Sequence, residues 1–311
     1  MREDFLKDPQ VCEFADWLAT YLPLFPVRME VPPSPYVPEG LSVDCTFGTL
    51  IPEHYRWRLT GMAVGDWWET VLRLRTLSSA LRNSVSRANV PETHEACEAI
   101  AEWAADRNGR VGATAFLQSL GNDLPAYLER TGRAIRLAAP DPSGGFRAVP
   151  RMNSTLTKIH ALAAADGLPI YESRVAASIA TLVETWRRHT GRQEEPLPPA
   201  LKFPAVGGQP QRRVRRIFPD AFDPGVLSYN VGSELATAAR WTSAAVRLGL
   251  LMERTLLNAP PDLFVAWPHR EGAYTNESRM AAFIGALFMA GYNPACLHQG
   301  STERLEPTPV P

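Results

Sequence analysis

The chain reads STLTKIHALAAADGLPIYESRVA from Ser154 to Ala176. Asn153 or Ser154 can cap a helix that the pattern predicts over about 155–165, and Asp166-Gly167 ends it. A second helix is predicted to start near Tyr171, because apolar residues then recur at helical spacing. The apolar positions of this second helix are Val175, Ile179, Leu182, Val183 and Trp186. We therefore predict that 155–187 forms two helices joined by a short loop.

The rest of the chain is also predicted to be mainly helical. Asp66 is a favourable N-cap for a helix of about six turns over 66–87, and helices are predicted over 229–257 and 276–290. Strands are expected largely within 40–60. The predicted architecture is a mainly α bundle with a few short N-terminal strands.

The predicted organisation has three parts. Residues 1–65 form a proline-rich, short-strand extension, and residues 66–298 form the helical part, with a sub-boundary near the Gly/Pro-rich stretch 191–216. Residues 299–311 are predicted to be a disordered tail.

Composition excludes several classes of protein. The 311 residues are 45% hydrophobic and 21% charged, a balance typical of a globular core. No run approaches the roughly 20 apolar residues of a membrane helix, and the N-terminus has no apolar signal core, so we expect a cytoplasmic protein without a membrane partner. The four cysteines form no CxxC pair and the six histidines show no ligand spacing, so no metal is predicted. The GxxxxGK[ST] and GxGxxG loops are absent, and no cofactor is predicted.

Basic residues are concentrated in the middle of the chain. Residues 147–216 contain twelve basic and five acidic side chains, a charge of +7, whereas the whole chain has a net charge of -1. Such a centre indicates an anionic partner such as nucleic acid. A solvated surface with chance clustering explains the same count equally well.

Lysine is rare in this chain, and this draws attention to Lys158. Arginine supplies most of the positive charge, and the only lysines are Lys7, Lys158 and Lys202. Arginine cannot replace lysine where an amine must lose its proton. Lys158 is the one lysine inside a predicted helix, at the edge of an apolar face. A lysine there either extends its amine to water, the commoner case, or is partly desolvated and becomes a nucleophile for Schiff-base chemistry.

Glu172 and Arg174 follow at the start of the second helix. Glu172 can simply be a carboxylate favoured by the helix dipole, or it can stabilise charge that develops in a cleft. We expect Lys158 and Glu172 to flank a substrate rather than to pair. Arg174 points away, alongside Ser178 and Thr181, and suits a phosphate.

This segment resembles the active-site region of helix–hairpin–helix DNA glycosylases. The likeness is strongest to divergent bacterial proteins with an 8-oxoguanine DNA glycosylase fold, and it rests on a helix bearing a lysine, a short loop, and Leu-Pro-Ile-Tyr-acid-Ser-Arg-Val-Ala at 168–176. In that family a lysine attacks the sugar C1′ of a flipped-out nucleotide, and an aspartate stabilises the developing sugar cation. By position, Lys158 corresponds to the nucleophile and Glu172 to the aspartate. The chain has Glu in place of Asp, and its loop has one glycine instead of a glycine-rich hairpin.

The resemblance implies an enzyme that extrudes a modified base from DNA and cleaves the N-glycosidic bond through Lys158, with or without lyase activity. Trp67 or Trp68 could wall the base pocket, although core packing is the commoner role of a tryptophan. The residues expected to contact DNA phosphate are Arg151, Arg174, Arg212, Arg213, Arg215 and Arg216. Two alternatives stay open: a non-catalytic nucleic-acid-binding or assembly subunit with the same fold, and a helical interaction protein without a nucleic-acid role.

Overall fold

A computed structural model describes residues 1–59, 62–104, 112–140, 146–207, 209–228, 234–264 and 276–299. The structure is 60% helical with few short strands, which confirms the mainly α prediction. The helices are α1 Arg2–Lys7, α2 Pro9–Tyr21, α3 Leu50–His54, α4 Trp67–Ser86, α5 Val90–Trp103, α6 Ala113–Leu120, α7 Leu124–Ala134, α8 Leu156–Ala163, α9 Ser173–His189, α10 Val214–Ile217, α11 Glu234–Asn258, α12 Asn276–Ala290 and α13 Cys296–Gln299.

The strands form two small sheets. Strands β1 Pro26–Val31 and β2 Leu41–Thr46 pair antiparallel, with Pro26 opposite Thr46 and Val31 opposite Leu41. Strands β3 Ala205–Val206 and β4 Val226–Leu227 pair in parallel. The expectation that strands lie largely within 40–60 was therefore wrong. β1 lies before that region, and its side chains alternate between buried and exposed as in a strand with one covered face. Within 40–60 the chain turns helical, because α3 begins at Leu50.

Helix α9 lies at the centre of the molecule. Every residue from Val175 to Arg187 is buried, so the predicted apolar stripe is only one face of a helix that is covered all round. Two of the buried residues are charged: Glu184 accepts from Arg187 at 2.9 Å and from Arg188 at 3.0 Å. Burial raises the pKa of Glu184, and the neighbouring guanidinium groups oppose that shift.

Other predicted helices are present in the structure, and the predicted N-cap of α4 is confirmed. Asp66 caps α4 by accepting the backbone N–H of Glu69 at 2.9 Å. The predicted pair over 155–187 is α8 and α9, joined by residues 164–172. The helix predicted over 229–257 is α11. Residues 229–233 and 300–311 lie outside the described residues, and the predicted tail falls there with the exception of Gln299.

The buried apolar side chains from Phe5 to Leu297 form one contiguous cluster around α9. A smaller cluster of Ala180, Val214, Phe218 and Ala221 covers one side of this helix. None of the helices in the described stretches combines the length and the apolar content that crossing a membrane requires.

Candidate functional site

The connection between α8 and α9 is fixed on several sides. Thr157 Oγ1 on α8 accepts the backbone N–H of Tyr171 at 3.1 Å. Asp166 Oδ2 accepts the backbone N–H of Leu137 at 2.6 Å. Gly167 adopts a φ of +81°, which side-chain-bearing residues rarely adopt, and a Cβ there would lie 3.0 Å from Met280 Cβ. A direct hydrogen bond therefore joins the segments that carry Lys158 and Glu172, and the loop between them packs against neighbouring elements.

Lys158 is half-buried on α8, a helix on which Leu156 and Ile159 are fully buried. Its Nζ donates to the backbone oxygen of Ser154, one turn earlier, at 3.1 Å. The amine therefore lies near the start of its own helix. This arrangement fits the expected edge position.

Glu172 is buried, with 7% of its surface exposed, and it is the N-cap of α9. Its Oε1 accepts the backbone N–H groups of Arg174 at 2.8 Å and of Val175 at 3.3 Å. The preceding residue is fixed by two further bonds, from Tyr171 Oη to Pro204 O at 2.7 Å and from Trp241 Nε1 to Tyr171 O at 2.8 Å. The carboxylate thus has a defined position at the positive end of the helix dipole.

Arg174 lies among aromatic rings rather than beside Ser178 and Thr181. Its guanidinium carbon is 4.8 Å from the ring centres of Trp57 and Phe288, and 4.5 Å from that of Tyr292. Such contacts stabilise a cation by about 0.5–2 kcal/mol each. Within the described part of the chain, its buried Nε has no hydrogen-bond partner.

Arg212 reaches the same place from the segment before α10. It is half-buried, and its Nη1 donates to Ser173 Oγ. Burial, and then the positive charge of Arg174, lower the pKa of Arg212, while the nearby Glu172 opposes the shift. Two guanidinium groups thus lie close enough to repel each other.

Tyr292, just after α12, completes this group. Burial raises the pKa of its hydroxyl, and no described residue forms a hydrogen bond with its oxygen. We call Glu172, Ser173, Arg174, Arg212 and Tyr292 the α9 arginine cluster. Its formal charge is +1, from two arginines and one glutamate. It offers donors that are without partners in the described part of the chain, an arrangement suited to an anion.

The remaining predicted phosphate contacts do not all lie together. Arg213 is half-buried and donates to Gly207 O at 3.1 Å, whereas Arg215 and Arg216 are exposed on α10. Arg151 Nε lies 2.6 Å from Glu234 Oε1 in an ion pair. Arg151 also lies over the Phe116 ring at 5.8 Å. The arginine run therefore divides between an inward-facing pair and an exposed pair.

Sequence reasoning missed the aromatic side of the site. Trp67 was a candidate for the pocket wall, but it is buried against Tyr55, with ring centres 5.0 Å apart, and Trp68 is 40% exposed. The tryptophan beside Arg174 is Trp57. Gly291 is a sequence feature that indicates close packing against Arg174. A Cβ there would lie 2.4 Å from Arg174 O, so this position requires a residue without a side chain.

An open surface depression of about 500 Å³ lies against α5 and α6, and neither Lys158 nor Glu172 lines it. Its lining includes Glu95, Glu98 and Glu102, so its charge disfavours a polyanion. The α9 arginine cluster is therefore the better candidate for binding an anionic group. No protein-family profile, no curated protein and no solved structure matches the chain.

Proposed function

We propose that this chain is a DNA glycosylase of the helix–hairpin–helix type that excises a modified base with Lys158 as its nucleophile. The observation that supports this most is the hydrogen bond between Tyr171 N and Thr157 Oγ1, because it joins the segments that carry Lys158 and Glu172. A nucleophile and a charge-stabilising carboxylate on fixed neighbouring segments are what this chemistry needs.

In the proposed reaction the unprotonated Lys158 Nζ attacks C1′ of the extruded nucleotide. The N-glycosidic bond breaks, and its electron pair leaves with the base, which takes up a proton. Opening of the sugar ring then gives a Schiff base between Nζ and C1′. Water hydrolyses this intermediate, or a proton is lost from C2′ and the 3′ phosphate is eliminated, which is the lyase outcome.

Glu172 would stabilise the positive charge that develops on the sugar. Its Oε1 accepts both backbone N–H groups at the start of α9, whereas among the described residues its Oε2 has only a long 3.5 Å contact with Ser173 Oγ. One carboxylate oxygen therefore positions the group while the other keeps lone pairs for a cation. Fixed charge of this kind acts without reorganisation during the reaction.

The anionic partner would be the DNA backbone. Arg174 and Arg212 give the α9 arginine cluster its positive charge beside Glu172, and Arg215 and Arg216 extend basic character onto the surface. Phosphate contacts of this type position DNA without reading its sequence.

Borohydride trapping tests this function. DNA panels with oxidised, alkylated and hypermodified bases should give a covalent adduct with the wild type. Lys158→Gln and Lys158→Arg should give none, and the exposed Lys202→Gln serves as the matched control that keeps the adduct. An adduct undiminished in Lys158→Arg would contradict the proposal.

A second candidate function is non-catalytic binding of nucleic acid. It is favoured by one observation: Lys158 Nζ and Glu172 Oε1 both bond to the backbone of their own helices. This alternative predicts salt-dependent DNA binding with no adduct on any substrate. Absence of DNA binding altogether would favour an interaction protein instead.

A further inference from the structure

The turn between β2 and α3 brings three metal-ligating side chains together. Cys45 lies near the end of β2, and Glu53 and His54 are the last two residues of α3. One ligand atom from each of the three side chains lies within 4.8 Å of the other two. This spacing is close to the separation of ligands around one metal ion, and it is reached by residues only nine positions apart.

The backbone of this turn is held rigidly. Thr49 N donates to Thr46 O at 3.1 Å, and Glu53 N donates to Thr49 O at 3.2 Å. Phe47 N donates to Phe25 O at 2.7 Å. A Cβ at Gly48 would lie 2.9 Å from Pro23 O, so the turn packs directly against the preceding segment. The fold therefore sets the backbone positions of the three residues.

The kinds of donor atom select the metal. A thiolate, an imidazole and a carboxylate are each donors that zinc accepts, whereas magnesium and calcium prefer oxygen alone. Thiolate and carboxylate together carry two negative charges, which one Zn²⁺ neutralises. Cys45 and His54 are half-buried and Glu53 is 53% exposed, so a fourth position would face solvent.

We propose that Cys45, Glu53 and His54 bind one Zn²⁺, with water as the fourth ligand. Binding forms the Zn–S bond and releases the Cys45 thiol proton to solvent. Tyr55 is the next residue after His54. Two residues later comes Trp57, whose ring contacts the Arg174 guanidinium. The metal therefore clamps the end of α3 to β2 and steadies the segment that reaches the α9 arginine cluster.

Cobalt substitution and native mass spectrometry test the site without any assay of activity. Purified protein stripped with a chelator should take up one equivalent of Zn²⁺ or Co²⁺, and the cobalt form should show a thiolate-to-cobalt charge-transfer band and tetrahedral visible bands. Saturating zinc should raise Tm by about 3–6 °C.

Variants assign the ligands. Cys45→Ser should abolish the charge-transfer band, and His54→Gln should weaken zinc affinity at least tenfold. Cys12→Ser, at a half-buried cysteine outside the cluster, and His94→Gln are the matched controls that keep both properties. If Cys45→Ser does not fold, the exposed Glu53→Gln should still lower zinc affinity. Retention of the charge-transfer band in Cys45→Ser, or failure of the stripped wild type to take up one equivalent of Zn²⁺ or Co²⁺, would overturn the proposal.

Discussion

The backbone N–H of Tyr171 donates to Thr157 Oγ1 at 3.1 Å, and the two residues that follow these partners are Glu172 and Lys158. Covalent geometry then limits the Cα atoms of Lys158 and Glu172 to a separation of at most about 15 Å. At that separation, the side chains of Lys158 and Glu172 are long enough for both to contact one sugar ring. One buried hydrogen bond thus relates the proposed nucleophile to the proposed carboxylate.

Removing that hydrogen bond should destabilise the protein. Thr157 is 2% exposed, so Thr157→Val keeps the shape but leaves the Tyr171 N–H buried and without its partner. We expect a loss of about 1–3 kcal/mol in the free energy of unfolding, measured with urea. Thr76→Val, at an exposed threonine of α4, is the control and should change it by less than about 0.5 kcal/mol. Equal changes in the free energy of unfolding at both positions would contradict a stabilising role for this hydrogen bond.

Gly291 should tolerate no side chain. In Gly291→Ala the new Cβ would lie 2.4–2.7 Å from backbone and Cβ atoms of Arg174, so α9 and the end of α12 must move apart. We expect a destabilisation of about 1–3 kcal/mol. Gly132→Ala is the matched control, because nothing lies within 4 Å of its Cβ inside helix α7, and it should stabilise by about 0.5–1 kcal/mol. A neutral Gly291→Ala would contradict this close approach.

DNA binding, if it uses the exposed arginines, should show counterion release. The Arg215→Ala/Arg216→Ala double variant should reduce the slope of log K against log salt by about 2, since each phosphate contact contributes about 0.9. The control is Arg87→Ala/Arg133→Ala, at two exposed arginines that lie beside Glu92 and Glu129. Fluorescence anisotropy at several salt concentrations measures both slopes. An unchanged slope in the first variant would assign Arg215 and Arg216 to the solvated surface.

The buried His160 should make the fold sensitive to acid. Burial lowers its pKa to about 4, and its Nε2 lies 3.1 Å from Tyr127 Oη. The unfolded chain takes up a proton near pH 6.5, whereas the folded chain does not until about pH 4. Stability should therefore fall as the pH decreases through this window, by about 1.4 kcal/mol per unit and about 3 kcal/mol in all.

His160→Gln should remove this part of the acid sensitivity, although it lowers stability at neutral pH. His94→Gln, at a half-buried histidine, is the control and should keep the wild-type slope. Denaturant unfolding at pH 4.5, 5.5 and 7 measures the slopes. A His160→Gln slope equal to that of the wild type would mean that this imidazole is protonated in the folded protein.

Local signals in the sequence were sufficient for helices such as α4 and α9 and insufficient for the site. The Asp66 cap and the α9 apolar stripe each depend on neighbours within two turns, so spacing alone predicts them. The other faces of α9 carry small residues such as Ala177 and Thr181, whose type does not predict burial. They are buried because other elements pack on them. β1 was missed because its period-2 pattern lies beside a proline-rich run.

The aromatic contacts of Arg174 come from distant parts of the chain. Trp57 is 117 residues before Arg174 and Tyr292 is 118 residues after it, and no local pattern joins them. The same holds for Arg212, whose proximity to Arg174 follows from how the segment before α10 packs on α9. Sequence reasoning identified the basic residues but could not show which of them converge.

Peptide mapping of the borohydride-reduced adduct tests the central claim most directly. Trypsin cuts the free protein after Arg151, Lys158 and Arg174, which gives peptides 152–158 and 159–174. A sugar attached to Lys158 Nζ blocks the middle cut. The account predicts one missed-cleavage peptide, 152–174, whose mass is increased by the reduced sugar fragment. An adduct mapped to Lys7, Lys202 or the N-terminal amine, with peptides 152–158 and 159–174 unmodified, would contradict it.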